Sequence, residues 1–199
     1  QAFLDGQGIE LVIRCLKEKV YAGGVCLKLL DFSGNHADYK KACETLVEKG
    51  FLRYALPLWM GKYVPNNTNG LSKGKKPSRS RTSNIKTACG NILYALAKHL
   101  DDSSPQDANA RFLTKFTQAE CCKYLVNLCL KYDEKARLAE YDFYREVEDD
   151  DMDEEEATLG ALEAKLSAGG DQLHKLVTIA AFCCIGSKKC REHILNSLE

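Results

Sequence analysis

The sequence predicts an all-α protein built as a row of stacked helices, and three observations carry that prediction. Apolar residues recur at helical spacing in one segment after another. No segment shows convincing alternation of apolar and polar residues, the pattern a half-buried strand requires. Finally, two stretches share the shape helix end, glycine, apolar helix: QAFLDGQGIELVIRCLKEK and KKACETLVEKGFLRYALPLWMGK.

The helices follow in order. Ile9, Val12, Ile13, Leu16 and Val20 form the first apolar stripe, and VCLKLLDF marks a further helical region. Tyr39, Ala42, Cys43, Leu46 and Val47 predict a helix near 37–49. Leu52, Ala55, Leu56, Trp59 and Met60 predict one near 51–61, with Pro57 inside it removing a backbone donor and bending it. Ile85, Ala88, Cys89, Ile92 and Leu96 carry a helix near 84–100, and another is expected near 107–116. Cys122, Leu125, Val126 and Cys129 give 118–145, and Leu173, Leu176, Val177, Ala180, Ala181 and Cys184 give a long helix near 157–186.

Boundary residues support these limits. Gly50, after Glu48-Lys49 and before Phe51, is the expected left-handed residue between two helices. Thr117-Gln-Ala-Glu120 reads as a capping box, the threonine oxygen taking an orphan N–H while the glutamate reaches back. Gly186 is expected to stop the long helix.

Gly8 and Gly50 lie about 42 residues apart, inside the roughly 40–47 residues of armadillo and HEAT units. On that spacing, residues 1–33 form a partial unit, 36–100 a unit with a loop at 62–83, and 106–186 a unit with a loop at 146–156; 187–199 begin another. The expected architecture is a right-handed α–α superhelix, an incomplete piece of an armadillo-type solenoid. Each loop falls between the second and third helix of its unit, where insertions collect on one face.

Composition narrows function. Acids and bases balance to zero net charge, so no global charge argues for nucleic acid or a membrane surface. No apolar run approaches the roughly 20 residues of a membrane span. No signal-peptide pattern or initiator methionine opens the chain, which suggests an excised piece of a longer protein. Its amino end, around Phe3, Leu4 and Ile9, is therefore expected to pack against another chain. Cys15, Cys26, Cys43, Cys89, Cys122, Cys129 and Cys184 sit where Leu or Ala would serve on apolar helix faces, so they read as small hydrophobes in a reducing compartment. Cys121-Cys122 and Cys183-Cys184 are adjacent pairs without the gap that zinc ligation uses, and no metal or cofactor is expected.

Local charge is clustered, and two runs are the candidate sites. In EVEDDDMDEEE, Glu146, Glu148, Asp149, Asp150, Asp151, Asp153, Glu154, Glu155 and Glu156 offer carboxylates to a basic peptide or a basic domain, against the plainer reading of a solvated, self-repelling loop. In LSKGKKPSRSRTSN (71–84), Lys73, Lys75, Lys76, Arg79 and Arg81 read as an exposed loop, an import signal, or a serine-phosphorylation target. The same run supports an RNA-binding alternative, but with no aromatic residue in 71–84 to stack bases, direct nucleic-acid binding is not the expectation. The basic run could also occupy the acidic one. His36, His99, His174 and His193 share no helix face, Trp59 and Met60 read as core, and no phosphate-binding glycine loop, nucleophile elbow or Cys–His pairing proposes a reaction. No enzyme is expected.

Several stretches go beyond a generic repeat. GIELVIRCLKEK with LKLLD, ALPLWM, LTKFTQAECCKYLVNLCLKY, and EEEATLGALEAKLSAGGDQLHKLVTIAAFCC after the acidic gap resemble the carboxy-terminal portion of the nuclear armadillo-repeat family of beta-catenin-like proteins. The KGKKPSRSR loop and the AGG at 168–170 depart from that pattern. The resemblance implies a nuclear, non-enzymatic scaffold of pre-mRNA splicing. Such a scaffold would bind basic, nuclear-localisation-like segments of splicing factors and associate with components of the Nineteen complex.

Overall fold

In the computed structural model, the described residues are 7–18, 26–28, 30, 39–62, 79–100, 106–147 and 153–198, and none of them lies in a strand. Along the chain run α1 (Gly8–Lys17), α2 (Tyr39–Glu48), α3 (Leu52–Trp59), α4 (Arg79–His99), α5 (Gln106–Phe116), α6 (Ala119–Glu146), α7 (Glu154–Lys165), α8 (Asp171–Gly186) and α9 (Lys188–Leu195). The architecture is an all-α row of stacked helices, as expected for an armadillo-type solenoid.

The apolar stripes become its core. All five residues of the α2 stripe are buried, as are all five of the α4 stripe. Between α2 and α3 the chain turns in a Schellman motif. Gly50 takes φ 81°, the Phe51 N–H donates to Leu46 O at 3.0 Å, and the Gly50 N–H donates to Val47 O at 3.0 Å. The turn also drives the Phe51 ring into the core. Pro57 lies inside α3, where the helix forgoes the backbone hydrogen bond that a proline cannot donate.

Helices then stack in series. α1 packs on α2 and α3, α2 on α4 and α5, and α4 along α8; α8 also meets α6 and α9. Phe112 stacks on Phe116 with ring centroids 4.9 Å apart and meets Phe182 edge-on at 5.5 Å, joining α5 to α8. One apolar cluster runs unbroken from Ile9 to Ile194. Each helix buries a face only because its neighbour supplies another, which is the packing logic of a solenoid.

Four sequence expectations change. The helix expected over 157–186 is two helices, α7 and α8, broken at Leu166–Gly170. Gly169 takes φ 120°, and a Cβ there would stand 2.6 Å from Cδ1 of Tyr132 on α6. The glycine therefore both reverses the local backbone and lets the Tyr132 ring press against it. The buried face of α8 is Leu176, Ile179 and Cys183, rotated from the expected stripe, so that Val177 is exposed. This segment is apolar almost all round, and periodicity alone could not choose a side.

The capping box does not form. The Thr117 hydroxyl donates to Thr114 O at 2.6 Å, closing α5, and Glu120 pairs with Lys62 at the end of α3. The extended backbone of Gln118 starts α6 instead. Finally, Ile9 is 2% exposed against the chain's own core, so it cannot carry the contact expected with another chain. Phe3 and Leu4 lie outside the described residues.

Candidate functional site

The acidic run falls on two helix ends. Glu146 is the exposed last residue of α6; Glu148, Asp149, Asp150 and Asp151 lie outside the described residues. Asp153 is the N-cap of α7, its Oδ1 accepting the Glu156 N–H at 2.8 Å. Glu154, Glu155 and Glu156 fill the first turn of that helix. Carboxylates there face the positive end of the helix dipole, which favours them by about 0.3–1 kcal/mol each. All four acids from 153 to 156 are exposed, and among the described residues none of them forms an ion pair. The far end of α7 is tied to α6, where Lys165 Nζ lies 2.9 Å from Glu140 Oε2.

The basic run is shorter as a loop than expected. Arg79 and Arg81 belong to α4, which begins at Arg79, while Lys73, Lys75 and Lys76 lie outside the described residues. Histidines are spread apart: His99 meets the Tyr39 ring edge-on at 5.0 Å and is held less basic than usual by burial and by Lys98, whereas His174 meets Tyr94 at 6.1 Å. Trp59 is buried, as core.

All ten cysteines are free thiols. Burial raises Cys43 and Cys122 to about 12, and Cys183 higher still. The Cys122 thiol donates to Phe116 O at 2.9 Å. Such thiols are packing groups rather than nucleophiles. Among the described residues no cluster of His, Cys, Asp or Glu could hold a metal ion.

A cavity of about 150 Å³ opens between α4, α6 and α8. Three helix faces make it. From α4 come Ser83, Lys86, Thr87 and Gly90, spaced i, i+3, i+4, i+7. From α6 come Tyr124, Leu128, Lys131 and Tyr132, and from α8 Gln172, Lys175 and Leu176. Trp59 forms the floor, with its indole nitrogen 3.5 Å from where a Gly90 Cβ would stand. Tyr124 locks that floor: its ring meets Trp59 edge-on at 5.0 Å, and its hydroxyl donates to Trp59 O at 2.8 Å. Burial, then Tyr132 and Cys89, hold the Tyr124 phenol above its usual range, so it stays a neutral donor.

The lining carries three ammonium groups and no carboxylate. Lys86 Nζ lies 5.8 Å from the Tyr124 ring centroid, close enough for a cation–π attraction. Lys175 Nζ binds Asp171 Oδ2 at 2.7 Å at the rim. Lys86 and Lys131 make no ion pair among the described residues. None of these lysines was singled out from the sequence, because they lie on three separate helices. The available signal was the small polar stripe of α4, which gives no hint of what faces it.

Fold and surfaces together define a helical solenoid with charged edges and a cavity between its helices. A family model for catenin-beta-like, Arm-motif containing nuclear proteins matches residues 1–199. The chain belongs to that family. No curated protein matches it. Membership supports a role as a protein-interaction scaffold, and the family is described as nuclear. No helix among the described residues is long and apolar enough to cross a membrane.

Proposed function

We propose that the chain is a non-enzymatic scaffold of the nuclear pre-mRNA splicing machinery. It binds basic, nuclear-localisation-like segments of splicing factors, including components of the Nineteen complex. The supporting observation is the row Glu154, Glu155 and Glu156, exposed at the start of α7 without an internal cationic partner among the described residues. Unpaired carboxylates in a row complement Lys and Arg on an extended peptide and speed its encounter. Asp153 contributes less, because its carboxylate is engaged by the helix it caps.

The test is titration of the full chain with a Lys/Arg-rich peptide at two salt concentrations. Changing Glu154, Glu155 and Glu156 to Gln is expected to weaken binding about tenfold, or 1.4 kcal/mol, and to flatten the salt dependence. Unchanged affinity and salt dependence would remove these acids from the site. Affinity purification from nuclei is expected to recover splicing factors, and recovery of ribosomal or cytoskeletal partners alone would overturn the splicing assignment.

A further inference from the structure

The lysine-lined cavity is unsuited to the basic segments just described, since it would repel them. Its charge calls for an anion, and this holds independently of the acidic edge. We propose that the cavity between α4, α6 and α8 is a binding site for a phosphate monoester carried on a partner protein's serine or threonine.

Four observations converge on that ligand. Lys86, Lys131 and Lys175 surround one small space, and the acid paired with a lining lysine among the described residues is the rim residue Asp171. Ser83 and Thr87 add hydroxyl donors on the α4 wall, so ammonium and hydroxyl groups face the space together. A phosphate monoester brings about −1.5 to −2 charge and three strong acceptor oxygens, which matches that set better than a single carboxylate does.

Size also discriminates. A cavity of about 150 Å³ lies well below the roughly 300–1,000 Å³ of pockets that enclose drug-sized ligands. A phosphate on a short stem fits where a base and sugar together do not. The walls are preformed. Trp59 is buried, Tyr124 is fixed to it, and the Tyr132 ring is pinned against the Gly169 backbone. Little ordering is then needed on binding. Nucleic acid is disfavoured by the same geometry: the three lysines share one cavity instead of following a strand.

Trp59 is the sole tryptophan of the chain and forms the cavity floor, so its fluorescence reports occupancy directly. The full chain is titrated with a short phosphoserine peptide of otherwise neutral sequence, its unphosphorylated twin, inorganic phosphate, and a random single-stranded RNA. The phosphoserine peptide is expected to change Trp59 emission saturably and the unphosphorylated twin to leave it unaltered. Lys131→Gln, at an exposed position where folding is not at stake, is expected to weaken the phosphopeptide at least fivefold. Adding Lys86→Gln is expected to weaken it further, with an unaltered melting temperature as the folding control. No Trp59 response, or a response indifferent to both variants, would overturn the site. Tighter binding of RNA with a steep salt slope would reassign it to nucleic acid, and inorganic phosphate binding as tightly as the peptide would overturn the partner assignment.

Discussion

The acidic edge and the lysine cavity differ in more than sign. At the edge, Asp153 to Glu156 are neighbours in sequence, exposed in space, and served by a single helix end. In the cavity, Lys86, Lys131 and Lys175 are far apart in sequence and meet only because α4, α6 and α8 pack together. Charge that is contiguous along the chain repels itself outward into solvent, whereas charge gathered by folding needs a scaffold of apolar contacts to hold it. The edge should therefore tolerate substitution with little loss of stability, and the buried Trp59 beneath the cavity should not.

Alkaline pH gives the largest expected effect. Burial raises Cys43 and Cys122 to about 12, and Cys129 of α6 to about 11, from an ordinary 9. A buried group whose pKa is raised adds stability that is intact below pH 9 and is lost as pH climbs toward the folded value. Cooperative unfolding followed by circular dichroism is therefore expected between about pH 9 and pH 12, and undiminished stability at pH 11 would contradict this packing. Trp59→Ala comes next, removing the cavity floor at a cost of about 3–5 kcal/mol in denaturant unfolding. Gly169→Ala forces a side chain into a left-handed position against the Tyr132 ring and should cost roughly 2–3 kcal/mol.

At the acidic edge the effects shrink. Asp153→Ala removes the acceptor of the Glu156 N–H and should cost about 1 kcal/mol, chiefly by fraying the start of α7. Changing Glu154, Glu155 and Glu156 to Gln should shift stability by less than about 0.5 kcal/mol while still weakening a basic peptide. If the edge proved as costly to alter as Trp59, the contrast between the two regions would fail.

The same contrast sets how much could be read in advance. Stripes with one apolar side were legible: the α2 and α4 positions named from periodicity are buried without exception. Where a segment is apolar all round, as in α8, the pattern could not say which side faces inward, and the stripe came out rotated. Gly50 was legible because a left-handed turn has a local cause, whereas the break at Gly169 depends on the Tyr132 ring of α6. Thr117 and Glu120 had the right spacing for a cap, yet Thr114 and Lys62 offered nearer partners. The acidic residues could be named from the sequence because they are consecutive. The lysines of the cavity could not, since only tertiary packing makes them neighbours.

The most direct test is a crossed titration of two charge variants with two peptides, one Lys/Arg-rich and one phosphoserine-bearing but otherwise neutral. Two separate surfaces of opposite sign predict that Glu154, Glu155 and Glu156 changed to Gln weaken only the basic peptide. Lys86 and Lys131 changed to Gln should weaken only the phosphorylated one. Either variant weakening both peptides, or neither variant weakening any, would contradict the account.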